Sequence, residues 1–109
     1  MNSNTAILAF NALGQVNRLA LFRLLVEKAD KGLTPTEIGK TIDISAATLS
    51  FHLKELSAAG LVDVTRDGRH LIYRPNFAFV DQLMAFLSAN CCEGQTCELG
   101  DKPTKTGCR

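Results

Sequence analysis

The sequence predicts a small, mainly α-helical domain with one β-hairpin in its second half. Three observations carry this. Apolar residues recur at helical spacing in five separate stretches. An Asp67-Gly68 dipeptide divides two short runs rich in β-formers, which is the strongest two-residue hairpin signal. From Asn90 onward large apolar residues almost vanish, so the packed domain is expected to span residues 1–90 and residues 91–109 to form a flexible tail.

Composition bounds the rest. A chain of 109 residues with 46% hydrophobic content supports one domain with a core that needs no disulfide. A net charge of +1 argues against coating nucleic acid by charge alone. There is no apolar run of about 18 residues, the length that would suggest a membrane span. The N-terminus MNSNTAILAF lacks the basic start of a signal peptide. A cytoplasmic location without membrane contact is the expectation.

In chain order, residues 4–13 form a short helix that Ile7, Leu8, Phe10 and Ala12 make apolar almost all round. A terminal helix of this kind is expected to pack across a second copy of the chain. Gly14 ends it. Residues 16–29 form a second helix with Val16, Leu19, Ala20, Phe22 and Leu24 inward, and Arg18 and Arg23 on other faces. Asp30-Lys31-Gly32 is a turn. Residues 34–41 form a third helix: Thr34 caps it, Pro35 fits the first helical position, and Glu37 completes a capping box. Ile38 and Ile42 point inward.

The stretch from Ser45 to Val62 organises the chain. Leu49, Leu53 and Leu56 fall at i, i+4 and i+7 on one helix face, Ser45 is the expected N-cap, and Gly60 is the stop. The opposite face carries Ala47, Thr48, Ser50, Phe51 and Lys54, short and mostly polar groups suited to lying against a groove of DNA. A short helix, a brief connection and then such a helix make a helix-turn-helix pattern. The hairpin that follows, residues 61–66 and 69–74, is then a wing, with Arg66 and Arg69 at its tip for phosphate or the minor groove. The fold expected is a winged helix-turn-helix. The expected DNA contacts are Ser45, Ala47, Thr48, Ser50, Phe51, His52, Lys54, Arg66 and Arg69.

Residues 77–89 form a last helix with Phe77, Val80, Leu83, Met84 and Leu87 at helical spacing, Met84 being core; Phe79 and Phe86 widen its apolar surface. Such a helix would pair with the first across a two-fold axis, making a homodimer.

All four cysteines lie between Cys91 and Cys108. Neighbouring Cα atoms stand about 3.8 Å apart, short of the roughly 4.4–6.8 Å a disulfide spans, which disfavours a Cys91–Cys92 bridge. Thiols gathered in this way in a reducing compartment point to a site for a soft ion. Structural zinc prefers cysteine pairs two to four residues apart, often with histidine. Three thiolates from Cys91, Cys92 and Cys97 suit trivalent arsenic or antimony. Cadmium, lead or zinc with Cys108 as a further donor stays open, as does a thiol redox switch. The tail offers no base to activate a cysteine nucleophile, so no enzymatic activity is expected.

The run GLTPTEIGKTIDISAATLSFHLKELSAAGLVDVTRDGRHLIYR, together with RLALFRLLV before it, resembles the winged helix-turn-helix core of the ArsR/SmtB family of metal-responsive repressors. The likeness covers roughly residues 6–90. It implies a homodimer built on the first and last helices. Some family members carry a cysteine pair in the first helix of the helix-turn-helix; TPTEIGKT has none. The chain resembles instead the branch whose thiolates follow the last helix. The implied function is an arsenite- or antimonite-responsive repressor that binds operator double-stranded DNA and leaves it when the metalloid binds.

Overall fold

The computed structural model describes residues 1–89. Cys91, Cys92, Cys97 and Cys108 lie outside the described residues. The order is α1 (Ser3–Leu13), α2 (Val16–Lys28), a 3-10 turn (Ala29–Lys31), α3 (Pro35–Thr41), α4 (Ala46–Ala58), β1 (Val62–Asp67), β2 (His70–Pro75) and α5 (Phe77–Ser88).

Helix α1 starts where Asn2 accepts from the Thr5 N–H at 2.9 Å. Its apolar residues are sorted by size. Ala6, Ala9 and Ala12 are buried against the domain, and the larger Ile7, Leu8 and Phe10 face outward. Small residues on the inner face let the helix approach closely. The large side chains find no cover within one chain.

Helix α2 buries Leu21, Phe22, Leu24 and Leu25. Val16, Leu19 and Ala20, expected inside, are exposed. The inward row is Arg18, Leu21, Phe22 and Leu25, at i, i+3, i+4 and i+7, so the helix is turned relative to the sequence expectation. Arg18 lies on this inward side, with its Nε donating to the Ala12 carbonyl.

Past α2 the backbone enters the left-handed region at Ala29 (φ 51°) and at Gly32 (φ 73°). A Cβ on Gly32 would stand 2.6 Å from Ile72 Cγ2 and 2.9 Å from Arg74 Cγ, so only glycine allows this approach. The approach lets Leu33 pair with Tyr73: Leu33 N–H donates to the Tyr73 carbonyl at 3.0 Å, and Tyr73 N–H to the Leu33 carbonyl at 2.8 Å.

Helix α3 has the full capping box. Glu37 N–H donates to Thr34 Oγ1 at 3.3 Å, and Thr34 N–H donates to Glu37 Oε1 at 2.9 Å. Helix α4 ends in a Schellman turn, with Gly60 N–H on the Ser57 carbonyl and Leu61 N–H on the Leu56 carbonyl, both 3.0 Å. Gly60 takes the positive φ (89°) the motif requires. Leu56 and Leu61, the hydrophobic pair of that motif, are both fully buried.

Strands β1 and β2 pair antiparallel from Val62↔Pro75 to Asp67↔His70. The two residues between them are Gly68 and Arg69, one position later than the Asp67-Gly68 turn expected. Gly68 sits at φ 65° in the first turn position, which a II′ hairpin assigns to glycine. In α5, capped by Asn76 on the Phe79 N–H (3.0 Å), only Leu83 is fully buried. Met84, expected in the core, is exposed along with Phe77 and Leu87. One chain has no layer on that side of the helix to cover them.

The core gathers α1's alanines, α2, Ile38 of α3, Leu49, Leu53 and Leu56 of α4, Leu61, Val62 and Leu83. It holds α4 by one face and leaves the other open.

Candidate nucleic-acid interface

The open face of α4 is built by what lies beneath it. Leu49, Leu53 and Leu56 are locked in the core, which fixes the helix's rotation about its own axis. Ser45, Ala47, Thr48, Ser50, Phe51 and Lys54 are therefore exposed together. Phe51 is 54% exposed, a large ring on a helix whose apolar needs are already met on the other side.

Ser45 is engaged by the protein itself. Its Oγ accepts from the Thr48 N–H at 3.2 Å and donates to Thr48 Oγ1 at 2.9 Å. The Thr48 hydroxyl keeps its own proton for an outside acceptor.

His52 departs from the expectation. It is 6% exposed and faces inward with the leucines, so it is not placed for a DNA contact. The reason is its angular position: it neighbours Leu49, Leu53 and Leu56 on the buried side of the helix. Arg18 Nη1 lies 3.3 Å from its Nδ1, and Arg18 Nε donates to the Ala12 carbonyl at 2.6 Å. Burial holds the imidazole below its ordinary pKa, the nearby Arg18 charge adds to this, and Glu55 opposes it. Sequence reading set Arg18 on an outer face. Its spacing to Leu21, Phe22 and Leu25 was the signal that it faces inward; its pairing with a residue 34 positions away has no local signal.

At the wing, Arg66 and Arg69 are exposed, Arg69 in the turn itself. Arg74, nearer the base, donates to Thr65 Oγ1 at 2.9 Å. A cleft of about 420 Å³ lies between α3, α4 and β2, lined by Thr36, Leu49, Ser50, Leu53 and Tyr73 among others. Among the described residues no group of three His, Cys, Asp or Glu side chains could hold a metal ion. No helix among them is long and apolar enough to cross a membrane.

Residues 13–65 match the family model described as a helix-turn-helix domain. The structure superimposes on an ArsR-like transcriptional regulator from Rhodococcus sp. RHA1 with a TM-score of 0.74 at 22% identity, covering 83% of this chain and 82% of that one. The chain is a winged helix-turn-helix protein. The chain also matches the structure of a "possible transcriptional regulator for arsenical resistance", with a TM-score of 0.61 at 28% identity over 71% of this chain and 77% of that one. In sequence it is 38% identical, over 64 residues, to the cadmium resistance transcriptional regulatory protein CadC of Listeria innocua, a match covering 59% of this chain and 52% of the relative. The chain thus spans about half the length of that curated relative.

Proposed function

We propose that the protein is a transcription repressor of the ArsR/SmtB type that binds operator DNA as a homodimer and releases it when a thiophilic ion binds its C-terminal cysteines. The observation that carries the DNA reading is the exposed row Ala47, Thr48, Ser50, Phe51 and Lys54 on a helix locked from behind by three leucines. Two such helices, one per subunit, would enter successive major grooves about one turn apart. Arg66 and Arg69 would hold phosphate on either side. The dimer reading rests on Ile7, Leu8 and Phe10 of α1 and Phe77, Met84 and Leu87 of α5, large apolar side chains left uncovered in one chain.

The ion site is a reading of the donor set. Cys91, Cys92 and Cys97 supply three thiolates without histidine or carboxylate ligands, a set that fits trivalent arsenic or antimony. They follow α5 directly, so an ion held there acts on a helix assigned to the dimer interface. Linkage then requires DNA and ion to weaken each other by the same factor. The likeness to a cadmium resistance regulator favours a second reading, in which cadmium, with Cys108 as a further donor, is the inducer.

The test is fluorescence anisotropy of the reduced protein on labelled DNA from upstream of its own gene, at one salt concentration, with arsenite, antimonite, cadmium and zinc titrated separately. Release by arsenite or antimonite and loss of that release in C92S support the metalloid reading. Release by cadmium alone moves the inducer to the second reading. Binding that no ion disturbs, with release by peroxide reversed by dithiothreitol, overturns both ion readings in favour of a redox switch.

A further inference from the structure

Among the described residues His52 is the one buried side chain that can titrate, and it lies in the helix that presents the DNA-facing row. Its partner enters from α2. Arg18 spans two helices: Nε holds the carbonyl of Ala12, in the last turn of α1, and Nη1 meets His52 Nδ1 in α4. A guanidinium only donates, so the ring nitrogen must accept, and His52 is neutral with its proton on Nε2. On its other side the His52 ring lies against Phe51, with centroids 5.6 Å apart and planes tilted by 58°. Phe51 is on the open face. A path of contacts therefore runs from the end of α1, through one arginine and one histidine, to a ring exposed toward DNA.

Packing alone does not fill this joint. A cleft of about 300 Å³ runs beside it, bounded by Leu8, Asn11 and Ala12 from α1, Arg18 from α2, and Glu55 and Ala58 from α4. Where side chains leave such a gap, a hydrogen-bonded bridge sets the spacing of the two helices.

We propose that Arg18 is a positioning residue that fixes the reading helix α4 relative to the pairing helix α1 by holding the Ala12 carbonyl and the His52 ring together. This rests on the reading of α4 as the DNA helix and of α1 as part of the dimer interface. In a dimer, the angle between α1 and α4 within each subunit sets the distance between the two reading helices. Arg18 therefore tunes operator affinity without touching DNA. The bridge also sets a proton limit. A protonated His52 has no lone pair for Arg18 and places a second cation against it. The charges acting on the ring are Arg18 from α2 and Glu55 from its own helix; among the described residues none from α1, α3 or β1 is among them.

The experiment measures operator affinity by anisotropy from about pH 8 down to about pH 5.5. It uses reduced, ion-free protein carrying H70Q, which removes the other histidine, an exposed wing residue. R18M keeps the apolar stem and loses the donors. H52L keeps the burial and loses the acceptor. H52N offers an oxygen acceptor that takes up no proton. At neutral pH, R18M and H52L are expected to remain dimeric by sedimentation and to bind about tenfold more weakly, and the double variant no more weakly than either single one. The parent protein is expected to lose affinity only as pH falls below the ordinary histidine value, because burial holds His52 lower, whereas H52N binds at neutral pH and shows no acid loss. Full affinity in R18M or H52L overturns the positioning role, and so does an H52N profile identical to the parent's. If R18M does not fold, the contrast between H52L and H52N decides the matter alone. Failure of the parent protein to bind any operator fragment overturns the DNA reading and this role with it; parent binding that is indifferent to Arg18 overturns the role only.

Discussion

The hydroxyls of Ser45 and Thr48 form a closed pair, with Ser45 Oγ accepting from the Thr48 backbone and donating to the Thr48 side chain at 2.9 Å. The N-cap of α4 and one of its outward-facing groups are thereby one unit. S45A is expected to lower stability by about 1 kcal/mol in urea unfolding and also to weaken DNA binding, because Thr48 loses the partner that orients it. S45N should restore most of the stability. T48V should weaken DNA binding while leaving the unfolding midpoint close to native.

Arg66 and Arg69 lie on the wing, away from the core. R69A is expected to weaken binding to specific and nonspecific DNA alike. It should reduce the slope of log affinity against log salt by about 1, the signature of one lost phosphate contact. Unfolding should be unchanged. A slope equal to that of the native protein would remove Arg69 from the contact set.

Stability should fall on the acid side in two windows. His52 is held neutral in the folded chain, chiefly by burial. The unfolded chain therefore takes up that proton first, and stability drops as pH falls below the ordinary value of 6.5. Glu37 is held ionised, chiefly by the Thr34 backbone N–H, so a further loss begins as pH falls below 4.5. Thermal unfolding against pH should show both, with E37Q removing only the lower one.

Gly32 sits where a Cβ would strike two side chains of β2. G32A is expected to destabilise the domain by about 1–3 kcal/mol, from left-handed strain and the clash together. It should also separate Leu33 from Tyr73, read as faster amide exchange at Tyr73. A silent substitution would show that the wing is not anchored there.

Ile7 is 54% exposed on the outer face of α1. I7E should leave the folded chain intact and shift it toward monomer in sedimentation, with loss of operator affinity. An unchanged dimer would place the interface elsewhere.

The pattern of elements was legible in the sequence because each has local markers: a capping box at Thr34, a serine cap and a glycine stop around α4, a glycine turn in the wing. The row of exposed residues on α4 followed from leucine spacing alone. What escaped was the inner identity of α2, where an arginine occupies a position that periodicity reserves for a core residue. Its buried neighbour His52 escaped for the same reason. Histidine and arginine read as surface or DNA-facing groups until a contact spanning 34 residues shows them satisfying each other. One large residue of α5 misled in the opposite direction. Met84 looks like core, and in a single chain it stands outside it.

Because Leu33 pairs with Tyr73, β2 has a neighbour on both sides, and the outer margin of the sheet falls to β1. An edge strand presents unpaired N–H and C=O groups that can recruit a strand from another polypeptide. Over its six residues β1 carries Asp63, Arg66 and Asp67, all exposed. These charges discourage strand addition, guarding against aggregation through the wing.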